Sequence, residues 1–174
     1  MDLTNQLISE LHALGLHFVI ANQSLSISRR LAPATLLAGL AQQTDGRMEM
    51  ALIALFLYQP TFAEAVHEAL EKLDETSQVN LKLFYTAAML LQQIHAERLR
   101  PLCTWQPLPD LFSFELGIAQ SDEPKMRLQQ LAKRHRALSG WAVNWLGTYQ
   151  YAAKRLITRL EKESAWKIRS PQPK

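Results

Sequence analysis

VNLKLFYTAAMLLQQIHAERL, residues 79–99, is the stretch of sequence that decides the fold. It contains neither glycine nor proline, and at about 100° per residue its apolar side chains cover most of the circumference of a helix. Only a narrow polar strip remains, formed by Lys82, Thr86, Gln93 and Glu97. A helix with so little wettable surface must be covered by other elements. The pattern therefore predicts a mainly α-helical domain, a bundle of about seven helices around this buried central helix.

Length and composition are those of an ordinary globular protein. The chain has 174 residues, of which 48% are hydrophobic and 20% charged, enough for one sizeable core. Its longest apolar run, Met50 to Tyr58, has about half the ~20 residues that a membrane-spanning helix needs, and the N-terminus lacks the pattern of a signal peptide. Cys103 is the only cysteine, which fits a reducing compartment and is interpreted as a small, partly buried apolar residue. We expect a cytoplasmic protein with no membrane partner.

Charge is distributed unevenly along the chain. Residues 1–124 hold 7 Lys and Arg against 14 Asp and Glu, whereas residues 125–174 hold 12 against 2, so the two parts carry −7 and +10. Such an asymmetry indicates either attraction between the two parts or an anionic partner for the C-terminal part. We favour internal attraction.

The N-terminal region predicts a helix, a hairpin and two further helices. The first helix runs from Leu3 to Leu14 and ends at Gly15. Alternating segments at 17–20 and 25–27 around a polar turn predict a small β-hairpin over residues 17–28. Pro33 opens the second helix, to about Gln43, and the third covers about residues 47–58.

The pieces LISELHALG (7–15), HFVI (17–20), LSI (25–27) and PATLLAGL (33–40), in this order, resemble the N-terminal docking domain of the TubC type. That family occurs on nonribosomal peptide synthetase and related subunits, and the resemblance covers about residues 3–55. It implies a small domain that receives a short segment of a partner subunit, partly by strand addition to the hairpin edge. The alternative, which we favour, is a hairpin that only closes one end of the core.

We divide the chain into an N-terminal helix–hairpin–helix module (residues 1–58), a helical bundle (59–169) and a loose tail (170–174). In the bundle, Thr61 and Glu64 have the spacing of a capping box at the start of a fourth helix, and Ser77 is expected to cap the central helix. The outer face of the fourth helix is acidic, with Glu64, Glu68, Glu71 and Glu75.

The proline-rich segment 101–110 and the following LFSFELG connect the central helix to the C-terminal helices. Exposed aromatic side chains are where binding energy concentrates, so Trp105, Phe112 and Phe114 are candidate anchors for a partner. The alternative is a lid that folds back on the core, and we favour the lid.

Two basic helices follow, from Pro124 to about Leu138 and from Trp145 to about Trp166, the second capped by Asn144. The first is expected to bury its leucines and His135 and to expose its cations, including Arg127. If the two helices pack side by side, cations and aromatics form one surface for an anion or a partner. Its candidate residues are Lys133, Arg134, Arg136, Tyr151, Arg155, Arg159, Lys162 and Trp166.

The sequence offers no motif for catalysis, for a metal or for a cofactor. No two of the five histidines have the i, i+4 spacing of a helical chelate, and His95 and His135 are interpreted as core histidines. There is no nucleophile elbow and no glycine-rich phosphate loop. We therefore expect no enzymatic activity, no cofactor and no metal.

The favoured function is that of a non-enzymatic adaptor or accessory subunit that binds a protein partner or itself. The alternative is a nucleic-acid-binding accessory protein that uses the basic C-terminal helices, because cations bind phosphates and aromatics stack on unpaired bases.

Overall fold

Helices account for most of the part of the chain that the structure describes. The computed structural model describes residues 2–17, 30–120 and 122–169. The mainly α-helical class is confirmed there, whereas the hairpin predicted over residues 17–28 lies, apart from His17, outside the described residues, as does the predicted tail. The elements are α1 (Leu3–Ala13), α2 (Pro33–Ala41), α3 (Gly46–Tyr58), a 3-10 helix (Pro60–Ala65), α4 (Val66–Glu71), α5 (Glu75–Ile94), α6 (Ala96–Leu99), α7 (Pro124–Ser139) and α8 (Trp145–Arg169).

The central helix is α5, and α2, α3, α7 and α8 all pack against it. From Leu81 to Leu91 every apolar side chain is buried, as the sequence predicted, and Gln92 is buried as well. Thr86 is also buried, although it was expected in the polar strip. Its hydroxyl donates to the backbone carbonyl of Lys82 over 2.8 Å, which satisfies the polar group inside the helix.

Both ends of α5 differ from the prediction. Asp74 is the N-cap, because its carboxylate accepts a 2.8 Å hydrogen bond from the backbone N–H of Ser77, so the prediction that Ser77 is the cap is wrong. At the other end, His95 leaves the helical conformation and separates α5 from α6, where a single helix to Leu99 was expected.

Gly15 ends α1 as predicted. Its φ of 87° lies in the left-handed region, which glycine adopts without a steric penalty. The N–H of Gly15 bonds to the carbonyl of His12, and the N–H of Leu16 bonds to that of Leu11, the pair of bonds that defines a Schellman motif. Leu16 is buried immediately afterwards, so the motif turns the chain back into the core.

The predicted capping box at Thr61 and Glu64 is not formed. Residues Pro60–Ala65 make a 3-10 helix without a side-chain cap, and α4 begins only at Val66. Pro60 at the first position fixes the entry of this segment instead. The acidic side chains at positions 64, 68, 71 and 75 are all exposed, as expected.

One hydrophobic cluster extends from Leu7 in α1 to Leu160 in α8. Helix α3, in the predicted N-terminal module, packs against α5 and α8 of the predicted bundle. The predicted module and bundle therefore share a core.

The connection between α6 and α7 covers the core, as the lid interpretation predicted. Leu108, Leu116 and Ile118 are buried, and the Tyr85 hydroxyl donates to the Pro109 carbonyl over 2.7 Å. Gln92 holds the same segment from α5 with two hydrogen bonds of 2.8 Å, to the carbonyl of Gln106 and from the N–H of Leu108.

Arg127 of α7 forms hydrogen bonds to the lid. The sequence placed this cation on the surface, but its side chain is 8% exposed and donates 2.8 Å hydrogen bonds to Asp110 and Ser113. Leu138 shows the opposite error, since it was expected inside and is exposed. Helical periodicity gave the angle of each side chain, but it did not reveal that Asp110 would cover Arg127.

Candidate functional site

The outward side of α8 is the candidate site. Asn144 caps the helix, as predicted, by accepting a 3.0 Å hydrogen bond from the N–H of Gly147. Tyr149, Ala153, Leu156 and Leu160 are buried against the body of the protein. This burial fixes the rotation of the helix, and Tyr151, Arg155, Lys162 and Trp166 are left exposed.

These four exposed residues lie within about 60° of one another around the helix axis, given 3.6 residues per turn. Tyr151 and Trp166 stand at the two ends, about 22 Å apart along the helix, with the cations of Arg155 and Lys162 between them. We call this set the α8 outer face.

The final turns of α8 continue beyond the core. Leu160 is the last buried residue, yet the helix extends to Arg169, and Trp166 is 71% exposed. Ile168 is exposed as well. Large apolar side chains are therefore carried on a part of the helix that buries none of its own residues.

Arg159 does not belong to the α8 outer face, although the sequence placed it there. Its guanidinium donates to the carbonyl of Gly15 and lies 3.3 Å from the Glu163 carboxylate. Its side chain is mostly buried by these contacts, so Arg159 joins α8 to the end of α1.

A shallow groove runs beside the N-terminal half of this face, where α8 packs on α3. Its floor is aliphatic, and Arg47 and Arg155 line it together with Tyr151. Sequence reasoning missed Arg47 because it lies more than a hundred positions before Arg155 and nothing in the local pattern relates them. The complete lining is Arg47, Met50, Ala51, Ala54, Tyr151, Ala152 and Arg155.

The α7 cations predicted for the same surface are separate from this groove. Lys133, Arg134 and Arg136 are exposed on α7, and none of them lines the groove. The structure thus brings Tyr151 and Arg155 together with Arg47 of α3.

His135 joins α7 to α8. Its Nδ1 lies 2.5 Å from the Tyr149 hydroxyl, and its ring stacks on Trp145 with 3.5 Å between centroids. Burial lowers the pKa of His135 to about 4 and raises that of Tyr149. The prediction of a core histidine is confirmed at this position, and the contact holds the start of α8 in place.

The charge asymmetry is only partly resolved inside the molecule. Arg127 and Asp110 form an ion pair between the two oppositely charged parts. Burial acts to raise the pKa of Asp110, but hydrogen bonds from Ser113 and Arg127 outweigh it and hold the pKa below its ordinary value. Most cations of the C-terminal part have no such partner among the described residues, including Lys133, Arg134, Arg136, Lys154 and Lys162.

The three predicted anchors in the lid have different environments. Phe112 is 4% exposed and packs edge-on against Tyr85, so it is a core residue and the expectation of an exposed anchor is wrong. Trp105 is half-buried, with the Arg100 guanidinium 5.0 Å from its ring centre. Phe114 is 91% exposed and remains a candidate anchor.

Metal binding and thiol chemistry find few suitable groups among the described residues. No group of three or more His, Cys, Asp or Glu there is arranged to hold a metal ion. Cys103 is half-buried, as predicted, and burial raises the pKa of its thiol, which disfavours the reactive thiolate. None of the described helices has the length and apolar character needed to cross a membrane.

Comparison with family models, with curated proteins and with solved structures finds no match for this chain.

Proposed function

We propose that this protein is a macromolecular-interaction subunit that binds a protein partner through the α8 outer face. The observation that supports it is the extension of α8 past Leu160, with Trp166 exposed on turns that bury nothing. Tryptophan is among the residues that contribute most to binding at protein interfaces, and an exposed one at a helix end is a ready anchor.

The partner surface is acidic in this proposal. Arg155 and Lys162 lie between the two aromatics, and Arg47 adds a third cation at the groove. Complementary charge speeds association and fixes orientation, while the aromatics supply the apolar contact. The TubC-like mode, in which a partner strand joins a hairpin edge, remains a separate proposal for residues 17–28.

Nucleic acid is the second candidate partner, because cations between two exposed aromatics also suit a single strand. Phosphates would contact Arg155 and Lys162, and unpaired bases would stack on Tyr151 and Trp166.

A photo-crosslinking residue at position 166, introduced in cells that produce the protein, tests the proposal and separates the two candidates. We expect a crosslinked protein adduct that survives nuclease treatment and is lost when Arg155→Glu and Lys162→Glu are combined. The matched control carries the crosslinker at Met126, an exposed position on α7, and gives no such adduct.

A nuclease-sensitive adduct would instead establish the nucleic-acid candidate. Equal crosslinking from positions 166 and 126, or none from 166, would contradict both. Arg159 is left unchanged because its replacement would disturb the contact with Gly15.

A further inference from the structure

The turn between α7 and α8 exposes an indole that the α8 outer face does not use. Gly140, with a φ of 72°, ends α7, and Trp141 follows it with 71% of its surface exposed. Leu138 and Val143 are exposed on either side. We call Leu138, Trp141 and Val143 the α7–α8 tip.

All the charged residues near this tip in sequence are cations. Residues 124–160 contain no Asp or Glu, and Lys133, Arg134 and Arg136 lie in the last turns of α7 before the tip. These three cations make no ion pair with the described residues. The tip is therefore an apolar projection next to positive charge.

A cleft of about 590 Å³ lies elsewhere on the molecule, between residues 58–61 and residues 101–104. Its lining is mixed, since Tyr58 and Pro60 stand beside Thr61 and Thr104. Such a lining suits an indole, because its ring is apolar while its N–H needs an acceptor when buried. The α7–α8 tip contributes no residue to the lining, so the cleft does not receive Trp141 of its own chain.

No carboxylate lines the cleft itself, but acidic residues follow Thr61 at one side of it. Thr61 and Glu64 are three residues apart in a 3-10 helix, which has three residues per turn, so Glu64 stands on the same side as Thr61. Glu68 and Glu71 continue the exposed acidic surface along α4. The only ion pair formed by these three is a 3.9 Å contact between Glu68 and Lys72, within the described part of the chain.

We propose that the occupant of this cleft is the α7–α8 tip of a second copy of the chain. Trp141 of one copy enters the cleft of the next, and the α7 cations face the acidic side at Glu64 and Glu68. The charges are complementary and the projection and the cleft lie at different places on one chain. Such a contact is heterologous, so it builds rings or chains of copies.

The contact between copies and the partner contact of the α8 outer face involve different residues. Failure of one leaves the other intact, because Trp166 and the α8 outer face take no part in the contact between copies.

Sedimentation velocity over a range of protein concentrations tests the proposal. We expect species larger than a monomer at roughly 0.05 M salt and their loss near 0.5 M, since exposed charges are screened at high ionic strength. Trp141→Ala should weaken association by about 30-fold or more, the usual effect of removing a central interface residue. The control is Met126→Ala, because Met126 is a 51% exposed apolar residue of α7 outside the tip, and it should leave association unchanged.

Charge exchange gives an independent test. The double variant Glu64→Lys and Glu68→Lys is positive both beside the cleft and beside the tip. The double variant Arg134→Glu and Arg136→Glu introduces negative charge beside the tip, so that it faces the negative charge beside the cleft. Each variant alone should be monomeric, and a mixture of the two should associate again. A monomeric wild type at low salt, an equal loss in Trp141→Ala and Met126→Ala, or no association in the mixture would each overturn the proposal.

Cys103 provides a reporter inside the cleft. As the only cysteine of the chain, and a cleft-lining one, it should react with a thiol reagent more slowly as the wild-type concentration rises. The labelling rate of Trp141→Ala should not depend on concentration. Equal concentration dependence in the two proteins would place the contact outside the cleft.

Discussion

The two ends of α8 carry aromatic side chains in opposite environments. At the N-terminal end Tyr149 is fully buried, bonded to His135, and Trp145 is stacked on the same histidine. At the C-terminal end Trp166 stands in solvent, on turns that bury nothing. One helix therefore combines a structural end and an end available for contacts, and the difference lies in what packs beside each end.

Replacing the aromatic at each end gives the largest contrast. Tyr149→Ala should lower the free energy of unfolding by about 3–5 kcal/mol, because it empties a fully packed site and removes the bond to His135. Trp166→Ala should change it by less than about 0.5 kcal/mol. Urea denaturation measures both, and similar losses in the two variants would contradict the division of α8 into two ends.

Ion pairs sharpen the same contrast. In the pair Arg127–Asp110 the arginine side chain is 8% exposed, whereas both side chains of the pair Arg98–Glu161 are more than 40% exposed. Asp110→Ala should cost about 2–3 kcal/mol, because it leaves the mostly buried Arg127 cation without its carboxylate. Glu161→Ala should cost much less, because both partners of that pair are exposed to water. Equal effects in denaturation experiments would mean that Arg127 finds another partner.

The pH dependence of the unfolding free energy tests the buried end of α8, where His135 lies. The pKa of His135 is about 4 in the folded protein and about 6.5 when unfolded, so the unfolded chain takes up this proton first as pH falls. Stability should therefore decrease from pH 6.5 to pH 4, by about 2 kcal/mol from this group alone.

In His135→Gln the decrease over that pH range should be smaller, although the variant is less stable at pH 7. Denaturation midpoints at several pH values measure it, and His17 and His95 contribute equally to both proteins. A pH dependence identical to that of the wild type would show that His135 is not the group responsible.

Periodicity predicted the fold in most of the described chain. The apolar positions of α5 and the buried side of α8 follow from helical spacing alone. The glycine at the end of α1 and the Asn144 cap follow from the preference of these residues for helix ends. These features depend on residues close in sequence, which a local pattern contains.

The candidate site was predicted only in part, because it depends on residues that are distant in sequence. Tyr151, Arg155, Lys162 and Trp166 are exposed as the helix angle predicts, but Arg159 is bonded to the end of α1 and Arg47 lines the groove from α3. A cation on a helix has the same pattern whether it faces water or a distant carbonyl.

By itself the sequence determined which helices form, which helix is central and which side of each helix is apolar, because backbone geometry and hydrophobic spacing act over a few residues. Tertiary structure alone decided which polar residues become internal, such as Arg127 in α7 and Ser113, which follows Phe112 in the lid. It also decided which apolar residues stay outside, such as Trp141. The physical reason is that burial of one side chain depends on the elements that happen to pack over it. Those elements are distant in sequence, and their positions result from the packing of the whole core.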